Sequence, residues 1–198
     1  MIAKRIFDLI ASGIGLVLLS PLFIAIAIAI KWESPGPIFF RQERVGRFGK
    51  TFRIHKFRTM VVDAERHGLQ ITVGADPRVT QVGNVLRKYK LDELAQLIDV
   101  FVGSMSFVGP RPEVPAYVAC YPAEVIQIIL SVRPGITDRA SIEYKDENEI
   151  LSQAIDPHKT YVEEVLPKKI HFYLDYVRTR TFFDDLRILV ATLIAILR

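Results

Sequence analysis

The sequence predicts an α+β chain. A broken pair of apolar helices occupies residues 1–33, and one compact, mostly helical domain with a small β-hairpin occupies 34–198. Three observations lead there. An uncharged run from Leu9 to Ile30 is interrupted in its middle by Ser20-Pro21. Aromatic and alternating segments flank Gly46-Arg47-Phe48-Gly49 with the period of strands. From Asp76 onward, apolar residues recur at helical spacing between rigid Pro/Gly turns.

As one straight helix the apolar run would be about 33 Å long, enough to cross a bilayer core. Pro21 removes a backbone donor and clashes with the carbonyl of Val17, and Ser20 before it is biased away from helical angles. Two segments result, Leu9–Leu19 and Leu22–Ile30, each about half a bilayer long. Lys4 and Arg5 precede the run, and Lys31, Arg41, Arg44, Arg47 and Lys50 follow it. Basic flanks prefer the cytoplasmic side. A re-entrant hairpin dipping into one leaflet satisfies both flanks, whereas a proline-kinked span satisfies one. The charge pattern therefore leans to the hairpin, and the kinked span stays in play because membrane helices tolerate proline. A cleaved signal peptide fits poorly, since no small-residue cleavage site follows the run.

The remaining chain, about 165 residues, is one domain's worth. Its charge is unevenly placed. The net value is only +4, with a pI of 9.2, yet seven Lys/Arg residues lie between Arg41 and Arg58 against Glu43 alone. Such a patch suits anionic headgroups or phosphates. Nucleic acid is the weakest partner, because no binding motif of that class is present. The single Cys120 excludes an internal disulfide framework and agrees with a reducing compartment.

Along the chain, Ser34-Pro35-Gly36-Pro37 ends the apolar pair. Ile38-Phe39-Phe40 and Thr51–Phe57 read as the two strands of the hairpin, with Phe52 and Ile54 on one face and Arg53 and His55 on the other. Asp76-Pro77 reads as a helix start, followed by a buried stripe of Val79, Val82, Val85, Leu86 and Tyr89. A second helix carries Leu94, Leu97, Ile98 and Phe101. Two rigid turns follow, Gly109-Pro110-Arg111-Pro112 and Arg133-Pro134-Gly135. The closing helix, Phe182–Arg198, contains an uncharged stretch too short to span, so a core helix and an interfacial helix are its two fates.

Candidate chemistry sits at Asp92-Glu93. An Asp opening a helix gains hydrogen bonds from free amides and stays ionised, so a simple N-cap with a favourable first-turn Glu is the plain explanation. The surroundings point further. Arg87, Lys88 and Lys90 lie just upstream, and Arg111 is held between two prolines, pre-organised for a bidentate grip on phosphate oxygens. Arg133, before Pro134-Gly135, carries the same argument more weakly. Two carboxylates among several cations suit a metal and a phosphate, with a carboxylate free to attack phosphorus. His55, His67, His158 and His171 lack metal-ligand spacing and read as structural or surface residues. No P-loop, dinucleotide fingerprint or H-E-x-x-H occurs.

Several segments, in this order, resemble one family. They are Lys4-Arg5-Ile6-Phe7-Asp8, the Ser20-Pro21 break, His55-Lys56-Phe57-Arg58-Thr59-Met60, Leu91-Asp92-Glu93-Leu94, Met105 to Pro112, and Arg133-Pro134-Gly135-Ile136-Thr137. Over nearly its whole length the chain resembles the bacterial initiating sugar transferases, the small monotopic phosphoglycosyl transferases. The resemblance implies a re-entrant membrane helical hairpin joined to one catalytic domain on the cytoplasmic face of the bacterial inner membrane. It implies transfer of a sugar-1-phosphate from a UDP-sugar to a polyprenol phosphate (undecaprenyl phosphate), with release of UMP, at the start of glycoconjugate or polysaccharide synthesis. Asp92 maps onto a nucleophile that forms a phosphosugar-aspartyl intermediate, and Asp92 with Glu93 onto the site of Mg²⁺. Lys56, Arg58, Arg87 and Arg111 map onto contacts to phosphate or uridine nucleotide, joined by Arg133 from the turn argument above. Donor, acceptor and membrane lipids are the implied partners, and a homodimer is left open. With no further domain before or after it, the chain is expected to be the minimal catalytic form.

Three departures from the family pattern stand out. Asp138-Arg139-Ala140-Ser141 replaces a common Gly-Trp-Ala-Gln, Asp99 replaces a usual asparagine, and Ser104 a usual acid. They leave the nucleophile and the main cations intact and bear on the sugar and nucleotide contacts. Two other classes compete. A nucleotide-sugar glycosyltransferase would normally offer an Asp-x-Asp motif, and none occurs. A non-catalytic protein that binds acidic lipids explains the charge but leaves Asp92-Glu93 and Arg111 as coincidence.

Overall fold

The apolar run forms two helices, α1 (Ile2–Leu18) and α2 (Ser20–Glu33), bent by 60° where they meet. The computed structural model describes residues 2–62, 64, 76–145 and 147–197, without the side chains of 196 and 197. Within them no single helix is long and apolar enough to cross a membrane. Pro21 stands in the first turn of α2, where a missing N–H costs little. The Val17 carbonyl that Pro21 cannot serve instead accepts a hydrogen bond from Ser20 Oγ at 2.8 Å. Serine thus replaces the donor that proline removes, and the break needs both residues.

The polarity of α1 is inverted relative to an ordinary surface helix. Lys4, Asp8 and Ser12, at successive i+4 steps, turn inward, and Asp8 and Ser12 are buried. Ile2, Ile6, Ile10 and Ile14, on the opposite side, are exposed. Lys4 and Arg5 are more than flanking charges. Lys4 Nζ donates to the Val108 carbonyl at 2.9 Å and pairs with Asp185, and Arg5 donates to the carbonyls of Val100 and Phe101 at 2.7 and 2.9 Å.

The hairpin is longer than the alternation predicts and is built in two tiers. Its lower tier pairs β1 (Phe39–Phe40) with β4 (Lys56–Phe57), and its upper tier pairs β2 (Glu43–Val45) with β3 (Thr51–Arg53). The turn is a 3-10 segment, Arg47–Gly49, in which Phe48 and Gly49 take φ of 58° and 73°. Sequence alternation missed β2 because Glu43-Arg44-Val45 has no apolar alternation of its own. A second element it missed is a parallel pair, β5 (Ser106–Val108) with β6 (Gly135–Thr137). This pair brings the two Pro/Gly turns side by side. A Cβ at Gly109 would collide with the Arg133 carbonyl, and one at Gly135 with the backbone of Gly109, so only glycine permits the approach.

The helix expected from Asp76-Pro77 begins later. Asp76 closes a tight turn: its Oδ1 accepts from the Arg78 amide at 3.0 Å, and the Arg78 guanidinium grips the carboxylate through Nε at 2.9 Å and Nη2 at 2.6 Å. Helix α3 (Gln81–Lys88) starts instead after Thr80, whose Oγ1 accepts from the Gly83 amide. Glu33, closing α2, accepts from the amides of Gln81 and Val82 at 2.6 and 3.1 Å, an acid placed at a helix N-terminus by tertiary folding. Of the expected stripe only Leu86 is buried, while Val85 and Tyr89 are exposed. The second expected helix is a 3-10 turn over Leu91–Gln96 that runs into α4 (Leu97–Val102). Its buried members are Asp92, Ala95, Gln96, Leu97, Asp99 and Val100, and Phe101 packs outward against Gly13 of α1.

The rest is helical: α5 (Pro115–Val118), α6 (Ala123–Ile129), α7 (Arg139–Glu143), α8 (Glu147–Ser152), α9 (Pro157–Thr160), α10 (Leu166–Thr179) and α11 (Phe182–Leu197). Tyr117, Ile129, Leu151, Tyr161, Leu166 and Tyr173 form the largest core cluster. A second cluster joins Ile26 and Ile30 of α2 to Phe57, Leu86 and Ala95, so the apolar pair and the Asp92 segment share one core. Helix α11 divides the two fates expected of it. Ile188 is buried against Val108 and Tyr176, while Val190, Leu193 and Ile194 are exposed.

Candidate active site

Asp92 is not a helix cap. Lys90, in the left-handed region at φ 55°, reverses the chain before the 3-10 turn, and Asp92 and Glu93 lie inside that turn. The tight turn sends the two adjacent carboxylates to different partners. Glu93 Oε1 accepts from Lys56 Nζ at 2.7 Å and from Arg111 Nη2, and Glu93 Oε2 accepts from Arg111 Nη1 at 3.3 Å. Burial alone would raise the Glu93 carboxyl, but Arg111 and Lys56 overcome it and hold it well below the usual carboxylate range. Arg111 is pushed up in return by Glu93. Lys56 is lowered by burial and supported by Glu93.

Asp92 is 8% exposed, and among the described residues no side chain donates a hydrogen bond to it. Burial pushes its carboxyl up; Lys56 and Arg87 oppose the shift and Glu93 adds to it. Arg87 reaches this side of the site from α3, with its Nε donating to Thr59 Oγ1 at 2.9 Å. The pair is therefore divided in role. Glu93 is the counter-ion that locks two cations, and Asp92 is a buried carboxylate facing cations with its oxygens uncommitted.

The structure brings together Asp92, Glu93, Lys56, Arg87 and Arg111. It does not bring Arg58 or Arg133 to them. Arg58, expected at a phosphate, caps α2: its guanidinium donates to the carbonyls of Pro35 and Ser34 at 2.7 and 2.8 Å and to Ser34 Oγ at 2.9 Å. The carbonyls freed at the end of α2 need a donor, and a buried arginine five per cent exposed supplies it. Arg58→Ala is expected to lower stability by at least the about 1.5–3 kcal/mol of one charged hydrogen bond. The check is the melting temperature of the detergent-solubilised protein. Arg133, expected at a substrate phosphate, donates from Nε to the Gly103 carbonyl at 2.8 Å and lines a separate cavity.

The contacts of three sets of polar residues were not readable from the sequence pattern. Asp99 accepts from both the backbone amide and the Nδ1 of His55, each at 2.8 Å, which fixes the strand that carries Lys56. Buried Glu113 accepts from Tyr161 at 2.7 Å, with Lys169 bridging to Glu147 at 2.9 Å, beneath the Arg111 turn. Lys4, Arg5 and Asp8 staple α1 to the domain. The i+4 recurrence of polar residues in an otherwise apolar helix was the available signal for that staple. His67 lies outside the described residues. Among the described residues no cluster of three or more His, Cys, Asp or Glu could hold a metal. The site offers the Asp92-Glu93 pair, and that donor set fits Mg²⁺, which takes one or two carboxylates and completes its shell with waters and substrate phosphates.

Comparison with known proteins decides the family. The profile of the family described as bacterial sugar transferase matches residues 1–198. The chain belongs to the bacterial sugar transferases. This bacterial sugar transferase is 45% identical over 141 residues to the UDP-N-acetylgalactosamine-undecaprenyl-phosphate N-acetylgalactosaminephosphotransferase of Aeromonas hydrophila, covering 70% of this chain and 33% of that one. It is 39% identical over 193 residues to the UDP-glucose:undecaprenyl-phosphate glucose-1-phosphate transferase of Escherichia coli (strain K12), covering 96% of this chain and 39% of the relative. To the exopolysaccharide production protein ExoY of Rhizobium meliloti (strain 1021) it is 34% identical over 209 residues, covering 98% and 85%. The chain thus spans between a third and two fifths of the first two relatives and most of the third.

Proposed function

We propose that this bacterial sugar transferase moves a sugar-1-phosphate from a UDP-sugar to a polyprenol phosphate and releases UMP. The observation that carries the reading is the divided carboxylate pair: Glu93 paired with Lys56 and Arg111, mostly through Oε1, and Asp92 without a hydrogen bond from any described side chain. A phosphoryl group needs cations at its oxygens and a nucleophile in line, and this arrangement supplies both. An Asp92 oxygen attacks the sugar-bearing phosphorus. The bond from that phosphorus to the oxygen of UMP breaks, and UMP leaves with the electron pair. An oxygen of the lipid phosphate then attacks the same phosphorus and the bond to Asp92 breaks, regenerating the carboxylate and leaving a lipid diphosphate-linked sugar. Lys56, Arg87 and Arg111 bind and orient the phosphates, and Glu93 positions the first and last of these. Asp92 and the less occupied Oε2 of Glu93 would hold Mg²⁺, which would supply positive charge to offset that of the diphosphate. Purified protein with Mg²⁺, undecaprenyl phosphate and a panel of UDP-sugars is expected to release UMP. Release of UDP would make it a glycosyltransferase, and no nucleotide across the panel would make it a lipid-binding protein.

The reading also places the protein at a membrane, with α1 and α2 as a re-entrant pair in one leaflet and residues 34–198 as the catalytic domain on the cytoplasmic face. Three features support this. Both ends of the pair pack on the same domain, through Lys4, Arg5 and Asp8 at one end and Ile26, Ile30 and Glu33 at the other. The break between them is sharp. Helices α1, α2 and α11 each carry exposed apolar residues, among them Ile6, Ile10, Val17, Ile28, Trp32 and Leu193. In a Cys120→Ser background, cysteines placed at Ala3 and Lys31 are both expected to resist an impermeant reagent added outside intact cells. Labelling at Ala3→Cys alone would make the pair a span.

A further inference from the structure

Arg133 belongs to a second basic site. A cavity of about 70 Å³, none of whose lining residues is in the Asp92–Glu93 cluster, lies between the start of α1, β5, the segment 131–133 and the end of α10. Arg5, Arg47, Arg133 and Arg180 line it, with Asp8 as the one carboxylate among its described lining residues. Lys4 also borders it but is paired with Asp185. The cations are under-neutralised. Burial lowers Arg133, Arg5 and Arg47 push it the same way, and Asp8 offsets only part. Ser106, 1% exposed, lines the cavity with an Oγ that has no hydrogen-bond partner, lying near the Asp8 carboxylate without completing a good hydrogen bond. Four guanidinium groups facing a single described carboxylate leave room for a second negative charge, and the Ser106 hydroxyl is a further polar group on the wall. The volume admits several waters, which is the scale of one phosphate group.

The position of the cavity narrows the ligand. Arg5 lies between the exposed Ile2 and Ile6 of α1, and Arg180 lies three residues before the exposed Phe183. The cavity thus borders two elements that carry exposed apolar residues, the start of α1 and the link into α11, which suits a lipid better than a soluble metabolite. We propose that this cavity binds the phosphate head of a membrane lipid, a site separate from the Asp92 centre. The proposal rests on the membrane placement argued above.

Flotation of the full chain with vesicles tests it. The vesicles are phosphatidylcholine alone, phosphatidylcholine with about one-fifth phosphatidylglycerol, and phosphatidylcholine with undecaprenyl phosphate, with charge attraction of about 1 kcal/mol per cation setting the scale. Wild type is expected to float about fivefold or more better with at least one phosphate lipid than with phosphatidylcholine alone. Gain with phosphatidylglycerol assigns a phosphodiester head, and gain with undecaprenyl phosphate alone assigns a monoester. Arg47→Gln with Arg180→Gln is expected to abolish the gain. Lys50→Gln with Lys168→Gln, which removes the same charge from exposed positions outside the cavity, is expected to keep most of it. Equal loss in the two variants, or no gain in wild type, overturns the proposal. Flotation with phosphatidylcholine and UMP release, scored on the same preparations, show separately whether the membrane placement and the transfer reaction stand.

Discussion

Asp92→Asn is expected to fold normally and to lose turnover by about a thousandfold or more, as removal of a nucleophile does. The buried carboxylate is held among cations without a hydrogen bond from any described side chain, so nothing structural hangs on its charge. Its raised pKa means that the ionised form is disfavoured by burial. Asparagine removes that penalty, and the melting temperature at neutral pH should stay level or rise. Wild type given a UDP-sugar and Mg²⁺ without acceptor should release about one UMP per enzyme and gain a phosphosugar on the peptide containing Asp92. Polyprenol phosphate should discharge it. A stable Asp92→Asn protein with near-normal turnover would end the nucleophile assignment.

The two neighbours should also respond oppositely to pH. Asp92 must be ionised to attack, so turnover is expected to fall as pH drops through its raised pKa, above the ordinary carboxylate value of 3.8. Between that raised pKa and the unfolded value the native state holds the extra proton, so Asp92's own contribution to stability grows as pH falls. Glu93 behaves in the opposite sense. Its depressed pKa contributes stability above the unfolded value, and that stability is lost as pH falls through the folded one. Acid should therefore silence the enzyme before it unfolds it.

Arg111→Lys is the second large effect. Arginine uses two nitrogens on the two oxygens of Glu93 from a turn stiffened by Pro110 and Pro112, and a single ammonium cannot reproduce that fork. Loss of one charge-assisted contact costs about 1.5–3 kcal/mol, which reads as roughly ten- to a hundredfold in kcat/KM if the contact is also used on the donor. Glu93→Gln should act on the same lock from the other side, leaving Lys56 and Arg111 without their counter-ion, and should lower the melting temperature more than Arg111→Lys does. Wild-type kcat/KM in Arg111→Lys would reduce Arg111 to a turn residue.

The legible parts of the site were those with local causes. Asp92-Glu93 after a run of cations, the proline-held Arg111 and Lys56 on a hairpin strand all sit where the sequence placed them, because strand alternation and Pro/Gly turns act within a few residues. The illegible parts depended on distant partners. Arg58 and Arg133 look alike in sequence to Arg87 and Arg111, each a basic residue near a turn. Which arginine stays beside the carboxylate pair and which is drawn to a helix end depends on whether unpaired carbonyls lie nearby. Ser34, Pro35 and Gly103 supply those carbonyls, and no local pattern announces them. The cap assigned to Asp92 failed for the same reason. Lys90 takes a left-handed conformation that converts an expected α-helical start into a 3-10 turn.

By itself the sequence determined the break at Ser20-Pro21, the hairpin around Gly46–Gly49, the carboxylate pair and the family. Each rests on covalent geometry or on residue order, which folding does not alter. Only the tertiary structure decided how the pair is used. It turned the polar side of α1 inward and left its isoleucines outward, because Lys4, Arg5 and Asp8 find partners in the domain that water would otherwise have to provide. It set β5 beside β6, so that two turns 22 residues apart, from Arg111 to Arg133, meet through glycines too small to keep them apart. And it gave Glu93 two cations by hydrogen bond, while no described side chain donates one to Asp92. Neighbours in sequence became unlike in chemistry because a tight turn aims successive side chains in different directions, and the charges that await them come from elsewhere in the fold.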